Sequence, residues 1–234
     1  MKVSVIIPAY NEEGTITRTL NIYKAFMSEN FEDFEIIAVN DGSTDNTLKE
    51  IKAFKGVDLI SYAKNKGKGY AVKRGVLKAT GDYIFFTDAD CSYSPQNVLR
   101  AVSIFSESSV AGVLGVRENR KRDYPLIRRA MSKGLEAIIR NVLTLNISDT
   151  QCGFKGFEKS AAKKVFSLSS IFDFGFDFEV IYLMNSFKKP VAVMPIEFDH
   201  RLGSKVNLFK DTVKILKDIF YVKYKIPKTR KYED

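Results

Sequence analysis

The sequence predicts an α/β domain, a mostly parallel sheet with helices on both faces, followed by a C-terminal amphipathic helix. In the first half of the chain, apolar runs of strand length alternate with stretches of about 10–15 residues that have helical spacing. The apolar runs are continuous, as in parallel strands that are buried on both faces. A polar cluster follows each run, and ligands of such sheets bind beyond the carboxyl ends of the strands.

The first half is predicted to form four strands with helices between them. Ile16, Leu20, Tyr23 and Met27, for example, recur at the spacing of one helix face. The predicted strands are residues 3–7, 35–39, 57–62 and 83–87, and the predicted helices are residues 13–28, 46–54 and 69–79, with a further helix beginning near Pro95.

The second half of the chain is less regular. The elements predicted there are a strand at 110–116, a long basic helix at 125–145, a strand at 191–198 and a final helix at 208–223. Residues 172–184 mix aromatic and acidic side chains and receive no assignment. Because the chain shows no internal repeat or linker, we expect one domain over residues 1–206 and a basic amphipathic extension over residues 207–234.

The composition fits a well-packed domain that carries two basic surfaces. Of the 234 residues, 45% are hydrophobic, which excludes wholesale disorder. The net charge of +9 is concentrated, since residues 117–140 hold eight Lys or Arg against three acids and residues 201–234 hold ten against four. Anionic lipid, a phosphorylated acceptor and nucleic acid are the partners that such surfaces suit.

Targeting signals and cysteine content limit the cellular compartments in which we expect the protein. The sequence shows no signal peptide and no uninterrupted apolar stretch of about 18 residues that could span a bilayer. If the protein works at a membrane, we expect it to lie on the surface. Cys91 and Cys152 form neither a disulfide framework nor a paired metal motif, so we expect semi-buried thiols in a reducing, cytoplasmic environment.

Four polar clusters follow the predicted strands of the first half. They are Pro-Ala-Tyr-Asn-Glu-Glu at 8–13, Asn-Asp-Gly-Ser-Thr-Asp at 40–45, Lys-Asn-Lys-Gly-Lys-Gly at 64–69 and Asp-Ala-Asp at 88–90. Taken alone, the tyrosine of the first cluster could be ordinary packing, the second cluster could be turn and helix-cap chemistry, and the third could be a solvated turn. Together they form a consistent set of polar groups at one edge of the predicted sheet.

Asp88 and Asp90 are harder to explain as a turn. Two carboxylates one residue apart, directly after an apolar strand, repel each other unless a cation lies between them. Mg²⁺ or Mn²⁺ takes one or two carboxylates and completes its shell with phosphate oxygens and water. The alternative is that both acids are exposed and cap the helix that begins near Pro95.

In order, spacing and strand context, the four clusters resemble those of the family-2 glycosyltransferases, which have the Rossmann-like GT-A fold. The resemblance implies that Asp90, beside Asp88, holds Mg²⁺ or Mn²⁺ on the diphosphate of a nucleotide-sugar. The residues that it implies for nucleotide binding are Pro8, Tyr10, Glu12, Asp41, Lys68 and Asp88.

The second half indicates a branch of this family. Ser-Asp-Thr-Gln-Cys-Gly-Phe-Lys-Gly-Phe at 148–157 is similar to a stretch of the dolichyl-phosphate β-glucosyltransferases. Phe-Gly-Phe-Asp-Phe-Glu at 174–179 and Gly-Ser-Lys at 203–205 resemble segments shared with the dolichyl-phosphate mannose synthases. The chain departs from those relatives at Cys91-Ser92, where the mannose synthases often have Leu-Gln, and at Val116, where Ser often precedes the acceptor arginine.

The resemblance implies an inverting hexosyl transfer to dolichyl or polyprenyl phosphate, with UDP-glucose as the first-choice donor and GDP-mannose as the second. A phosphate monoester is already a nucleophilic dianion at neutral pH, so it needs positioning and cations more than a strong base. Expected to bind the acceptor phosphate are Arg117, Arg128, Ser132, Arg201 and Lys205. Asp90, Asp149 and Arg117 are the expected catalytic residues, and Gln151, Asp177 and Glu179 the expected contacts to the sugar or acceptor.

Two other functions stay open at this point. A glycosyltransferase with a soluble saccharide or protein acceptor would need Asp149, Asp177 or Glu179 as a general base. A non-catalytic nucleic-acid-binding module would use the basic segments, but these lack an RNA-binding signature, so we expect no nucleic acid partner.

The basic helices predict where the protein acts. The helices at 126–145 and 208–224 interleave apolar residues with Lys and Arg, as helices that lie in a membrane interface do. We therefore expect a peripheral protein on the cytoplasmic face of a membrane. Packing of these helices on the domain is the alternative, and a homo-oligomer is left open.

Overall fold

The computed structural model describes residues 1–118, 126–143, 145, 147, 149–173, 175–197, 208–224 and 226. Of residues 126–133, 136 and 208–213 it describes the backbone alone. In chain order the elements are β1 (Lys2–Ala9), α1 (Ile16–Asn30), β2 (Asp33–Asp41), α2 (Thr47–Ala53), β3 (Asp58–Tyr62), α3 (Lys68–Lys78), β4 (Tyr83–Phe86), α4 (Gln96–Glu107), β5 (Gly112–Arg117), α5 (Leu126–Leu143), β6 (Lys155–Glu158), α6 (Lys159–Leu168), α7 (Phe176–Ser186), β7 (Val191–Ile196) and α8 (Leu208–Tyr224).

The strands of the described chain form one sheet in the order β3-β2-β1-β4-β6-β5-β7. The first four pair in parallel, and β5 and β7 are parallel to each other. β6 runs antiparallel to both of its neighbours, β4 and β5. The predicted mostly parallel α/β sheet is confirmed.

Helices cover both faces of the sheet because neighbouring strand residues point to opposite sides. Ile6 and Ile84 belong to a core with the residues of α3, α6 and α7, whereas Val5 and Phe85 belong to a second core with α1 and α4. β1 and β4 in the centre of the sheet are buried on both faces, which explains their continuous apolar sequences.

The element predictions are right for the first half and incomplete for the second. β6, α6 and α7 were not predicted. β6 is four residues long and contains Lys155 at a fully buried position, so its sequence lacks an apolar strand pattern. In α7, eight residues are buried, and an apolar stripe on one face is therefore hard to recognise.

The C-terminal helix α8 packs one face on the domain. Ile215, Ile219 and Val222 are buried in the same core as α5, α6 and α7. Phe220, Tyr221 and Tyr224 are exposed on the rest of its surface. Domain packing, the alternative to membrane contact, is thus observed for one face of α8, while the boundary at 206/207 stays a prediction.

Two further observations concern location and thiols. In the part of the chain that the structure describes, no helix is both long and apolar enough to cross a bilayer. Cys91 and Cys152 are free cysteines; Cys91 is half-buried, as predicted, whereas Cys152 is fully buried.

The strand order positions the site. β1 lies between β2 and β4, and all three run in the same direction, so their carboxyl ends meet at one edge. From β1 the chain continues to β2 and β3 on one lateral side of β1, whereas β4 pairs with its other edge, and such a reversal of strand order is the usual ligand position in these sheets.

Candidate active site

A cavity of about 340 Å³ lies at the carboxyl ends of β1, β2 and β4. It is lined by Pro8, Ala9, Tyr10, Glu12, Asp41, Asn65, Gly67, Lys68, Ala71, Asp88, Ala89, Asp90 and Asp173. All residues predicted to bind the nucleotide, and both predicted metal ligands, are in this lining. The four clusters are far apart in sequence, and the sheet brings them to one place.

Asp41 organises the wall of the cavity after β2. Its carboxylate accepts hydrogen bonds from the backbone N–H groups of Lys66 at 2.8 Å and Gly67 at 2.9 Å, and from the Asn65 side-chain amide at 3.0 Å. Burial raises the pKa of Asp41 above its ordinary value, although these donors oppose the shift. Asp41 therefore fixes the polar cluster at 64–69 to its own cluster at 40–45.

Glycine is required at position 67, where the turn after β3 lies against the carbonyl group of Phe172. It has a φ of +97°, and a Cβ there would lie 2.4 Å from the carbonyl oxygen of Phe172. An L side chain would meet both backbone strain and a direct clash.

The first and second clusters brace each other. The backbone N–H of Glu12 donates to Thr47 Oγ1 at 2.8 Å, and the N–H of Thr44 donates to Asn11 Oδ1 at 2.8 Å. Part of the turn and cap chemistry in these clusters is therefore structural. Tyr10 remains 40% exposed at the cavity, where its ring can contact a planar ligand.

Lys68 and the two aspartates form the charged part of the cavity. Lys68 Nζ pairs with Asp88, and the N–H of Ser92 donates to Asp90 Oδ1 at 2.9 Å. Burial alone would lower the pKa of Lys68, but Asp88 and Asp177 outweigh it, so the pKa is raised and the side chain stays cationic. A cation and two carboxylates thus face the same space.

Gly153 brings the 150–153 loop against Asp88. A Cβ at this position would lie 2.2 Å from Asp88 Oδ2. The N–H of Gly153 donates to the Tyr93 hydroxyl at 3.0 Å, which fixes the loop from its other side. The motif that indicated the branch of the family therefore packs on the Asp-x-Asp motif.

The donor set fits a divalent cation that is shared with a phosphate ligand. Within the described residues, no group of three or more His, Cys, Asp or Glu side chains could hold a metal ion. Asp88 and Asp90 provide two carboxylates, which is what Mg²⁺ or Mn²⁺ takes when substrate phosphates and water complete its shell. The residues present therefore fit Mg²⁺ or Mn²⁺ as a cofactor of the bound diphosphate.

Arg117 and Asp149 form a buried ion pair at the end of β5. Arg117 Nε and Nη2 donate to the two Asp149 oxygens at 2.7 and 2.8 Å, and the side chains are 12% and 4% exposed. Burial would lower the pKa of Arg117, but Asp149 outweighs it and the pKa is raised. Asp149 could act as a base only if this pair were broken. Their predicted catalytic roles stay predictions, because neither residue lines the cavity.

Asp177 and Glu179 lie behind the cavity, not in its lining. Asp177 pairs with the fully buried Lys155, which also donates to the Cys152 carbonyl. Glu179 accepts hydrogen bonds from the N–H groups of Ser170 and Ile171, both at 2.9 Å. Burial raises the pKa of both acids. Both acids have internal partners, and their expected contact with sugar or acceptor stays a prediction.

The remaining predicted residues are placed only in part. Gln151 is half-buried in the loop before Gly153. Arg201, Lys205 and the side chains of Arg128 and Ser132 lie outside the described residues, so their predicted contacts to the acceptor phosphate stay predictions.

Sequence reasoning missed Asp173, Asn65 and Gly67 as residues of the cavity. Asn65 and Gly67 fall within a cluster that was singled out, so they could have been found. Asp173 lies in the stretch of mixed aromatic and acidic residues that received no assignment, and no local pattern distinguishes it from its neighbours.

The chain is similar to known glycosyltransferases in sequence. The sequence model of Glycosyl transferase family 2 matches residues 4–166. Dolichyl-phosphate beta-glucosyltransferase of Saccharomyces cerevisiae is 32% identical, over 94% of this chain and 74% of that protein. The proteins of the same name from Dictyostelium discoideum and Homo sapiens are 29% and 27% identical, over 95% of this chain and 74% and 75% of theirs.

Solved structures show the same GT-A type of fold. Glucosyl-3-phosphoglycerate synthase of Mycobacterium tuberculosis superposes with a TM-score of 0.72 at 21% identity, over 95% of this chain and 80% of that one. A structure of that enzyme with Mn²⁺, UDP-glucose and phosphoglyceric acid superposes with a TM-score of 0.70 at 20% identity, over 94% of this chain and 79% of that one. At these identities the likeness shows the fold alone.

Proposed function

This chain belongs to glycosyl transferase family 2, and from that premise we propose that it transfers glucose from UDP-glucose to dolichyl or polyprenyl phosphate. The observation that carries the donor half is the convergence of Tyr10, Asp41, Lys68, Asp88 and Asp90 on one cavity. The acceptor half is supported by the relatives named for dolichyl phosphate, which align with about 95% of the chain. GDP-mannose is the second-choice donor.

Each part of the donor has a matching group in the cavity. The exposed ring of Tyr10 and the polar wall at Asp41 suit the nucleoside, while the Lys68 cation suits the diphosphate. Asp88 and Asp90 would hold Mg²⁺ or Mn²⁺. When bound, the ion supplies positive charge that stabilises the diphosphate as a leaving group.

The acceptor phosphate can act as its own nucleophile. With a second pKa near ~6, it is a dianion at neutral pH and needs no strong base. One of its oxygens forms a bond to the anomeric carbon from the face opposite the nucleotide. The bond from that carbon to the diphosphate oxygen breaks, and the electron pair leaves with UDP. The commitment of Asp149 to Arg117 agrees with a reaction that lacks a carboxylate base.

Cations would position this phosphate. Arg117 lies at the end of β5, and Arg128, Ser132, Arg201 and Lys205 belong to the two basic segments at 117–140 and 201–234. We place the acceptor phosphate among these residues and assign its positioning, rather than proton transfer, to them.

The proposed acceptor implies a membrane surface. α8 exposes Phe220, Tyr221 and Tyr224, and Lys223 lies on the same helix. Aromatic rings suit the membrane interface, and each nearby Lys adds about 1 kcal/mol on anionic lipid. The proposed location is therefore the cytoplasmic face of a membrane, to which the protein is bound peripherally. Self-association through the same face is the alternative.

A donor and acceptor screen tests this function. Labelled UDP-glucose and GDP-mannose are each incubated with the full chain, Mn²⁺ or Mg²⁺, and polyprenyl phosphate in detergent. The expected result is lipid-extractable label from UDP-glucose with polyprenyl phosphate and none with unphosphorylated polyprenol. Label that appears only on a soluble saccharide or protein, or on phosphoglycerate, would replace the lipid acceptor with a soluble one.

A further inference from the structure

The C-terminal helix reaches the wall of the donor cavity. Asp173 lines the cavity, and Lys214 on α8 forms an ion pair with its carboxylate. A Cβ on Gly67, which lines the same cavity, would lie 2.8 Å from Asp173 Oδ1. Asp173 also acts electrostatically on Asp41, whose pKa it helps to raise after the larger effect of burial. The Asp173 carboxylate is therefore close to the Asp41 side of the cavity.

The segment that carries Asp173 is held from both sides. On the cavity side, the carbonyl of Phe172 accepts the N–H of Gly69 at 2.7 Å, at the start of α3, whose first residue is Lys68. On the other side, α8 comes so close that a Cβ on Gly175 would lie 2.4 Å from Asp218 Oδ2. Phe172, Asp173 and Gly175 thus lie between the cavity and α8, and a change on α8 has a short path to the donor.

The charge of Asp173 restricts what it can contact. A carboxylate repels a diphosphate, so it does not suit the part of the cavity that holds Lys68. A nucleoside offers ribose hydroxyls and base N–H groups, and a carboxylate accepts hydrogen bonds from both. The position near Asp41 fits this uncharged end of the donor.

We propose that Asp173 binds the nucleoside of the donor and that Lys214 is a positioning residue that orients the Asp173 carboxylate, so that α8 completes the donor cavity. The proposal rests on the nucleotide-sugar function proposed above. It gives α8 a role in donor binding that is separate from membrane contact.

Because the Lys214–Asp173 ion pair is exposed, both residues can be substituted without unfolding the protein. The Lys214 and Asp173 side chains are 56% and 40% exposed. Exposed ion pairs add little to the stability of a fold, so substitutions here should leave the melting temperature nearly unchanged. Lys217, an exposed lysine on the same helix, provides a matched control.

The experiment is calorimetric titration of UDP and GDP, with Mn²⁺, into the full-length protein. We expect the Asp173→Asn variant to bind the preferred nucleotide about tenfold more weakly, the range for losing a hydrogen bond to a charged group. Lys214→Ala should weaken binding about threefold, and Lys217→Ala should leave it unchanged. The double variant Asp173→Asn/Lys214→Ala should bind no more weakly than Asp173→Asn, because Lys214 acts through Asp173.

Kinetic constants and a charge-swap variant distinguish nucleoside binding by Asp173 from the positioning role of Lys214. The KM for the donor should rise in Asp173→Asn while kcat and the KM for the acceptor stay unchanged. The Asp173→Lys/Lys214→Asp variant restores an ion pair without a carboxylate in the cavity, so it should bind as weakly as Asp173→Asn. Wild-type affinity in the swap, or in both single variants, overturns the inference. A wild-type protein that binds neither UDP nor GDP overturns the proposed function itself.

Discussion

The acidic residues of the sequence motifs lie in different environments in the two halves of the chain. In the first half, Asp41, Asp88 and Asp90 follow the ends of parallel strands and face a cavity. In the second half, Asp177 and Glu179 are buried and bonded to internal partners. All five acids lie in motifs that the family resemblance singles out. The position of an acid at the end of a parallel strand therefore predicted its environment better than its presence in a family motif did.

The largest expected effect is on the cavity side. Asp90→Ala should lower glucosyl transfer at least about a thousandfold, because a bound metal contributes several kcal/mol to stabilising the leaving group. The melting temperature should change little, since Asp90 lies at the surface of a cavity. Transfer of labelled glucose to lipid measures the effect. Asp82→Ala, in an acid at the opposite end of β4, is the control and should keep activity. Normal activity of Asp90→Ala at ordinary metal concentration would remove Asp90 from the metal site.

The second effect concerns the buried acid behind the cavity. Asp177→Asn leaves the fully buried Lys155 ammonium without a counter-charge and should cost about 3–5 kcal/mol of unfolding free energy. Urea unfolding measures it. Asp58→Asn breaks the exposed pair of Asp58 with Lys78 and should cost less than about 1 kcal/mol. Equal losses in the two variants would contradict a structural role for Asp177 that differs from that of a surface acid.

The third effect lies where the two halves meet. In Gly153→Ala, the new Cβ would lie 2.2 Å from Asp88 Oδ2, so the Asp88 carboxylate or the loop has to move. We expect kcat to fall about tenfold or more, because a displacement of about 1 Å at a site can cost that much. The matched control is Gly134→Ala, whose Cβ would meet nothing within 4 Å and should stabilise α5 by up to about 1 kcal/mol. If Gly153→Ala keeps full activity, the contact with Asp88 is not needed for transfer.

The smallest effect is a pH dependence on α8. Burial raises the pKa of Asp218 from 3.8 to about 6, and among the residues that the structure describes one of its oxygens has no hydrogen-bond partner. The folded state therefore holds this proton more tightly than the unfolded state, and stability is lost as the pH rises through about 6. Asp218→Asn should raise the unfolding free energy by about 1 kcal/mol at pH 7.5, allowing for solvent screening, and by about half as much at pH 5.

Thermal unfolding at the two pH values checks this prediction. Asp33→Asn, in an exposed acid at the start of β2, serves as the control and should show no difference between pH 5 and pH 7.5. A stabilisation by Asp218→Asn that is equal at both pH values would mean that the ionisation of Asp218 is not its cause.

The fold class, the first four strands and most of the residues that line the cavity could be predicted from the sequence alone. These could be predicted because a buried parallel strand has a continuous apolar sequence and its ligand groups follow it directly. Pro8, Tyr10, Glu12, Asp41, Lys68, Asp88 and Asp90 all line the cavity for this reason. The family resemblance added the divalent metal and the class of reaction, which no periodicity or spacing shows.

The pairs that the charged residues form are visible only in the tertiary structure. Lys155 meets Asp177, Arg117 meets Asp149, and Lys214 meets Asp173, over separations of 22, 32 and 41 residues. A sequence pattern carries no information on such partners, because any acid and base can pair once the chain brings them together. The sequence therefore could not distinguish acids that line the cavity from acids that bond to buried groups behind it. Nor could it show that α8 reaches the cavity.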